Sequence, residues 1–157
     1  MAEGSLITDE LRKLIGVSSG PIVYKVEEGA IQRYAQAIGD PNPLYNDPDF
    51  AKKTKYGRLL VPPGFTGWPI KAGRPTERLF ESLAEAGGPT RGLDGGIEFE
   101  FIEPVGAGDV LTATTKIATI IERQTRLGKT MFTTVEATFV NQKGNVVLKS
   151  RSTLIQF

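Results

Sequence analysis

After Thr90 the chain abandons helical spacing, and from Val110 onward come three long strand-forming runs joined only by short turns. Val110 to Ile121 is rich in threonine and β-branched residues, which fit a pleated surface. Met131 to Val140 alternates, with Met131, Thr133, Val135, Ala137 and Phe139 on one side and Phe132, Thr134, Glu136, Thr138 and Val140 on the other. Val146 to Phe157 returns after Asn141-Gln142-Lys143-Gly144-Asn145, and Arg126-Leu127-Gly128-Lys129 serves as the turn one strand earlier. Three strands joined this way form an antiparallel meander. Ile22 to Val26 has strand composition, and Ile97, Phe99 and Phe101 alternate with Glu98, Glu100 and Ile102 as in a half-buried strand. The sheet is therefore expected to have about five strands.

The first half reads differently. Thr8-Asp9-Glu10-Leu11 opens a short helix, with Thr8 or Asp9 as its cap, ending near Ile15; Gly20-Pro21 then breaks the pattern. Between Glu27 and Ile38 the apolar residues Ala30, Ile31, Tyr34, Ala35, Ala37 and Ile38 recur at helical spacing, and Gly39 follows as a C-cap. Pro48 to Lys53 suggests a further helical turn or two. Thr76 to Ala86 is a second full helix, capped by Thr76 and ended by Gly87-Gly88-Pro89. Val61 to Ile70 resists assignment: Pro62 and Pro63 suit a helix entrance, but Pro69 would interrupt it. Helices first and strands afterwards give an α+β fold with an antiparallel sheet. No repeat or linker divides it, so residues 1–157 are read as a single domain.

Composition closes off several chemistries. There is no cysteine and no histidine, which excludes disulfides and thiolate nucleophiles and argues against a zinc or other soft-metal site. The formal net charge is +1, with Lys and Arg dispersed, so nothing favours nucleic acid. No run has the length of a signal peptide or a membrane span, and a soluble cytoplasmic protein is the expectation.

Tyr34 to Asp47, reading YAQAIGDPNPLYND, resembles the active-site loop of the MaoC-like hydratases and dehydratases, especially the N-terminal half of two-domain MaoC dehydratases. Phe50-Ala51, Tyr56-Gly57, Val61-Pro62-Pro63, GLDGGIEFEF from Gly92 to Phe101, and Pro104 to Asp109 extend the resemblance over nearly the whole chain beyond about residue 20. The resemblance implies a hot-dog fold, a curved antiparallel sheet wrapped around a central helix, with two such sheets joined in a dimer. It also implies reversible hydration of enoyl thioesters carried on coenzyme A or acyl carrier protein. No cofactor is implied.

Carried onto this chain, the resemblance places Asp40 at the catalytic acid position and Gly64 as the candidate backbone donor to the thioester oxyanion. Tyr45 stands where active members have their histidine. A phenol with a pKa of about 10 stays protonated near neutrality and cannot act as the general base. It can still donate a hydrogen bond. Asp40 has a second reading, as a loop aspartate holding backbone N–H groups in a proline-rich turn, and Asn42 fits such a turn as well. Pro63, Phe65 and Trp68, with Ile70, are candidates to line an acyl tunnel or simply to fill the core. Lys52, Lys53, Lys55 and Arg58 offer either phosphate-binding charge or a solvated face. Asp94 is read as a turn between helix and strand, with a bulge or a close ligand approach left open for Gly95 and Gly96. Asp109 is read as a residue that caps or ends the turn before the long strand.

Three functions fit this pattern. The chain is a subunit of a heteromeric hydratase or dehydratase whose partner supplies the Asp–His pair, or a homodimeric hydratase relying on Asp40, or a hot-dog thioesterase or thioester-binding protein.

Overall fold

The computed structural model describes residues 4–65 and 77–157. Its elements run α1 (Asp9–Lys13), β1 (Ser18–Lys25), α2 (Glu28–Ala37), α3 (Pro43–Asn46), α4 (Pro48–Lys52), α5 (Glu77–Glu85), β2 (Gly92–Phe101), β3 (Val110–Thr125), β4 (Gly128–Asn141) and β5 (Val146–Gln156). The strands form one antiparallel sheet in the order β1-β3-β4-β5-β2. The meander at its centre is the one expected from the turn residues, and β1 and β2 close the two edges.

Alternation in the sequence becomes alternation in burial. Along β4, Met131, Thr133, Val135, Ala137 and Phe139 all face inward. On β3 the inward set is Leu111, Ala113, Thr115 and Ile117, and a bulge between Ile117 and Thr119 resets the phase so that Ile120 also turns in. The opposite face is solvated, where Glu136 bridges Lys116 and Arg151 across three strands at 3.3 and 3.4 Å.

The concave face holds two apolar clusters. One gathers Leu83 of α5, Leu11 of α1, and Ile117, Ile120, Met131 and Val135 of the sheet, so the sheet curls around this helix. The other gathers Tyr24, Val26, Ile31, Ala51, Leu59, Val61, Leu111 and Phe139, and it supports the loops discussed below. The architecture is the expected α+β hot-dog.

Four local expectations need correction. Gly20-Pro21 does not break the chain before a strand; β1 runs through it with a register irregularity between Ser18 and Pro21. An edge strand tolerates this, because the missing proline N–H costs no ladder bond on the open side. Pro43 to Asn46, expected to be loop, forms the short helix α3 with Pro43 in its first turn, where the lost N–H is harmless. Asp94 is not in a turn between helix and strand but inside β2, at a bulge between Asp94 and Ile97, where its carboxylate accepts the Gly96 N–H at 2.9 Å. Finally, β2 is exposed rather than half-buried: of its ten residues only Phe99 is partly covered. Trp68, Ile70 and the expected Thr76 cap lie outside the described residues.

Candidate active site

The site begins where α2 ends. Gly39 adopts φ +69°, the left-handed conformation that terminates helices. The Gly39 N–H bonds to Gln36 O at 3.1 Å and the Asp40 N–H to Ala35 O at 2.9 Å, the paired pattern of a Schellman cap. Asp40 is thereby fixed one residue past a rigid helix end.

The loop then ties itself down with side chains. An Asp40 carboxylate oxygen accepts the Asn42 N–H at 2.9 Å, and the Asn42 side chain accepts the Leu44 N–H at 3.0 Å, capping α3. Asn46 donates to the carbonyls of Asp40 and Asn42 at 2.8 and 3.0 Å, and Gln32 of α2 reaches Asn46 O. Asp40 and Asn42 thus do serve the turn. The bond to Asn42 uses Asp40 Oδ1; among the described residues Oδ2 makes no hydrogen bond.

Tyr45 packs, half-buried, against the apolar cluster beneath the loop. Burial pushes its phenol above the ordinary value and the nearby Asp40 carboxylate pushes it further, with a hydrogen bond to Asn42 only partly offsetting them. The phenol is therefore held protonated beside the carboxylate.

A second segment approaches the same cluster. Leu60 N–H bonds to Leu44 O, and residues 59–61 pair with 105–107 through Val61 N–H to Val105 O and Ala107 N–H to Leu59 O. This fixes Pro62-Pro63-Gly64-Phe65, a turn closed by Phe65 N–H to Pro62 O at 3.1 Å. Pro63 at its second position and Gly64 at its third, with φ +88°, make the type II arrangement that demands glycine. The turn leaves the Gly64 N–H without an acceptor among the described residues. Phe65 packs on the cluster and its ring stacks on Tyr34 of α2, with centroids 4.7 Å apart. Asp40, Asn42, Tyr45, Gly64 and Phe65 thus belong to loops resting on one core. Pro63 lies exposed in the same turn.

A family model for the FAS1-like dehydratase domain region matches residues 13–150. The chain belongs to that family. A UPF0336 protein of Streptomyces avermitilis is 35% identical over 108 residues, covering 62% of this chain and 63% of that protein. A probable enoyl-CoA hydratase alpha subunit of Thermomonospora curvata is 30% identical over 139 residues, covering 81% of this chain and 43% of its own length. Among solved structures, a MaoC-like dehydratase superposes with a TM-score of 0.78 at 26% identity, over 98% of this chain and 43% of that one. This chain therefore spans less than two thirds of each of these proteins.

Where the resemblance led to an imidazole beside the loop aspartate, the chain has a phenol held protonated, and its sequence contains no histidine.

Two features escaped the sequence reading. Arg58 and Asp109, 51 positions apart, form a two-pronged ion pair with both distances 2.7 Å. Asp109 is 4% exposed and also accepts the Gly106 N–H and the Gln142 amide. Burial opposes its charge, but these donors and the guanidinium prevail and hold its carboxyl below the ordinary range. Asp109 is thus more than a turn cap, and Arg58 is committed to it. Lys52 pairs with Asp49, and Lys55 sits 5.1 Å over the Tyr56 ring. An open cleft of about 520 Å³ is lined by Lys25, Glu27, Lys52 and Arg58, and none of the loop residues Asp40, Asn42 or Tyr45 borders it. The second missed feature is Tyr34, which helical spacing presents as an ordinary core-facing residue. Nothing local in the sequence signals its contact with Phe65.

Proposed function

We propose that this chain is a MaoC-like subunit of an enoyl-thioester hydratase or dehydratase, binding the acyl thioester while a second MaoC-like chain supplies the catalytic histidine. The observation that carries this reading is the Asp40–Tyr45 pair: the loop is tied down by its own hydrogen bonds and sets a carboxylate near a phenol that is held neutral. Asp40 and Tyr45 orient a water or thioester oxygen, the Gly64 N–H receives the thioester carbonyl, and Asn42 keeps the loop in register. Pro63 and Phe65 form the acyl-facing wall. The substrate is carried on coenzyme A or acyl carrier protein, in the cytoplasm.

The name of the Thermomonospora curvata relative, an alpha subunit, supports a paired assembly. So does strand β2. It forms a sheet edge on which Leu93, Ile97 and Phe101 are 53%, 52% and 42% exposed, beside Ile102. An apolar, unpaired edge invites another strand. A second hot-dog sheet joined there would satisfy the open backbone groups and cover these side chains.

The test is hydration of crotonyl-CoA, by this chain alone and by this chain co-expressed with a histidine-bearing MaoC-like protein from the same genome. The expected result is little turnover alone and full turnover from the pair, lost when the partner's histidine is replaced. Full turnover by this chain alone, abolished by Asp40→Asn, would overturn the reading in favour of a self-sufficient homodimer. Release of free coenzyme A would identify a thioesterase instead.

A further inference from the structure

Tyr34 is a half-buried residue on α2 whose hydroxyl forms no hydrogen bond among the described residues. Its ring is clamped against Phe65 at an interplanar angle of 17°, which fixes where that hydroxyl points. It points at Gly64. A β-carbon on Gly64 would stand 3.0 Å from the Tyr34 oxygen, tighter than ordinary van der Waals contact. The neighbouring Gly64 N–H is likewise without an acceptor among the described residues. Tyr34 is half-buried and Gly64 lies exposed at the turn beside it, so an acceptor arriving from solvent meets both donors there.

We propose that the Tyr34 hydroxyl and the Gly64 N–H together receive the thioester carbonyl oxygen, making Tyr34 a substrate-contacting residue of the site. The inference rests on the thioester-binding reading above and adds a donor to it. A carbonyl oxygen has two lone pairs, and two donors on it polarise the carbonyl more than one. The stacked Phe65 holds the phenol in place before substrate arrives, so little ordering is left to binding. Absence of a side chain at Gly64 then has two causes: the turn requires positive φ, and the hydroxyl needs the space.

The experiment is difference infrared spectroscopy of butyryl-CoA, 13C-labelled at the thioester carbonyl and bound to the full chain. Butyryl-CoA lacks the double bond and cannot be hydrated, so the readout is independent of turnover. The bound carbonyl band is expected at lower wavenumber than in water, and Tyr34→Phe, which keeps the stack on Phe65, is expected to recover part of that shift. The same variant should bind roughly 2- to 10-fold more weakly, the ordinary effect of one neutral hydrogen bond. Gly64→Ala, which crowds the hydroxyl, should also reduce the shift. A band unchanged in Tyr34→Phe overturns the role of Tyr34 and leaves the thioester site standing. No binding of butyryl-CoA by the unaltered chain overturns both.

Discussion

Replacing Tyr45 by histidine should switch on catalysis in this chain. At pH 7 a phenol with a pKa of about 10 is roughly 0.1% ionised, whereas an imidazole near 6.5 is about three-quarters free base. Burial and the Asp40 charge raise the Tyr45 phenol further, so the tyrosine offers still less base than that. The available base therefore rises by about three orders of magnitude. A positioned general base typically contributes about 100- to 10,000-fold in rate, so the expected gain for Tyr45→His is about 100- to 1,000-fold. The side chain is half-buried, and exchanging a phenol for an imidazole costs about 1–2 kcal/mol of packing, visible as a modest fall in thermal midpoint. The assay is loss of enoyl-thioester absorbance with crotonyl-CoA. The variant should also acquire a pH–rate limb near 6.5 that the natural chain lacks, and Asp40→Asn in the same background should remove most of the gain. A folded Tyr45→His protein no faster than the parent would refute the argument that the missing imidazole limits the rate.

Other perturbations follow from the same structure. Asp109→Asn leaves Arg58 without its carboxylate, and because Arg58 is partly exposed the expected cost is about 2 kcal/mol, read from urea unfolding. Since the folded-state pKa of Asp109 is lowered, its contribution is complete above the unfolded value of about 4 and disappears as pH falls through the folded value; the acid-unfolding curve of Asp109→Asn should lack that component. Asn42→Ala removes the α3 cap and should cost about 1 kcal/mol in the same measurement. Ile97→Lys with Phe101→Lys on β2 should abolish association with the second MaoC-like chain in analytical ultracentrifugation while leaving the thermal midpoint of this chain almost unchanged, because both side chains are already exposed.

The parts of the fold set by local pattern were legible in advance. Strict alternation from Met131 to Phe139 placed the inward face of β4, and the Gly39 stop placed Asp40 beyond a helix end. What failed was set by neighbours distant in sequence. Gly20-Pro21 reads as a break, yet pairing with β3 carries the strand through it. The alternation of Ile97, Phe99 and Phe101 revealed a strand but could not reveal that β2 lies at a sheet edge with its apolar side chains uncovered. Arg58 and Asp109 meet only because residues 59–61 pair with 105–107, so no spacing rule finds them. Tyr34 carried the right helical period for a core residue, and its hydroxyl gained meaning only beside Gly64.

The most direct test of a thioester site without a base is a single NMR experiment, saturation transfer to crotonyl-CoA from the purified chain. The account predicts that the enoyl protons receive saturation, because the thioester binds, while their intensity stays constant over hours, because nothing in the pocket moves the proton. Conversion to 3-hydroxybutyryl-CoA at the rate of a histidine-bearing hydratase, or no saturation transfer at all, would contradict it.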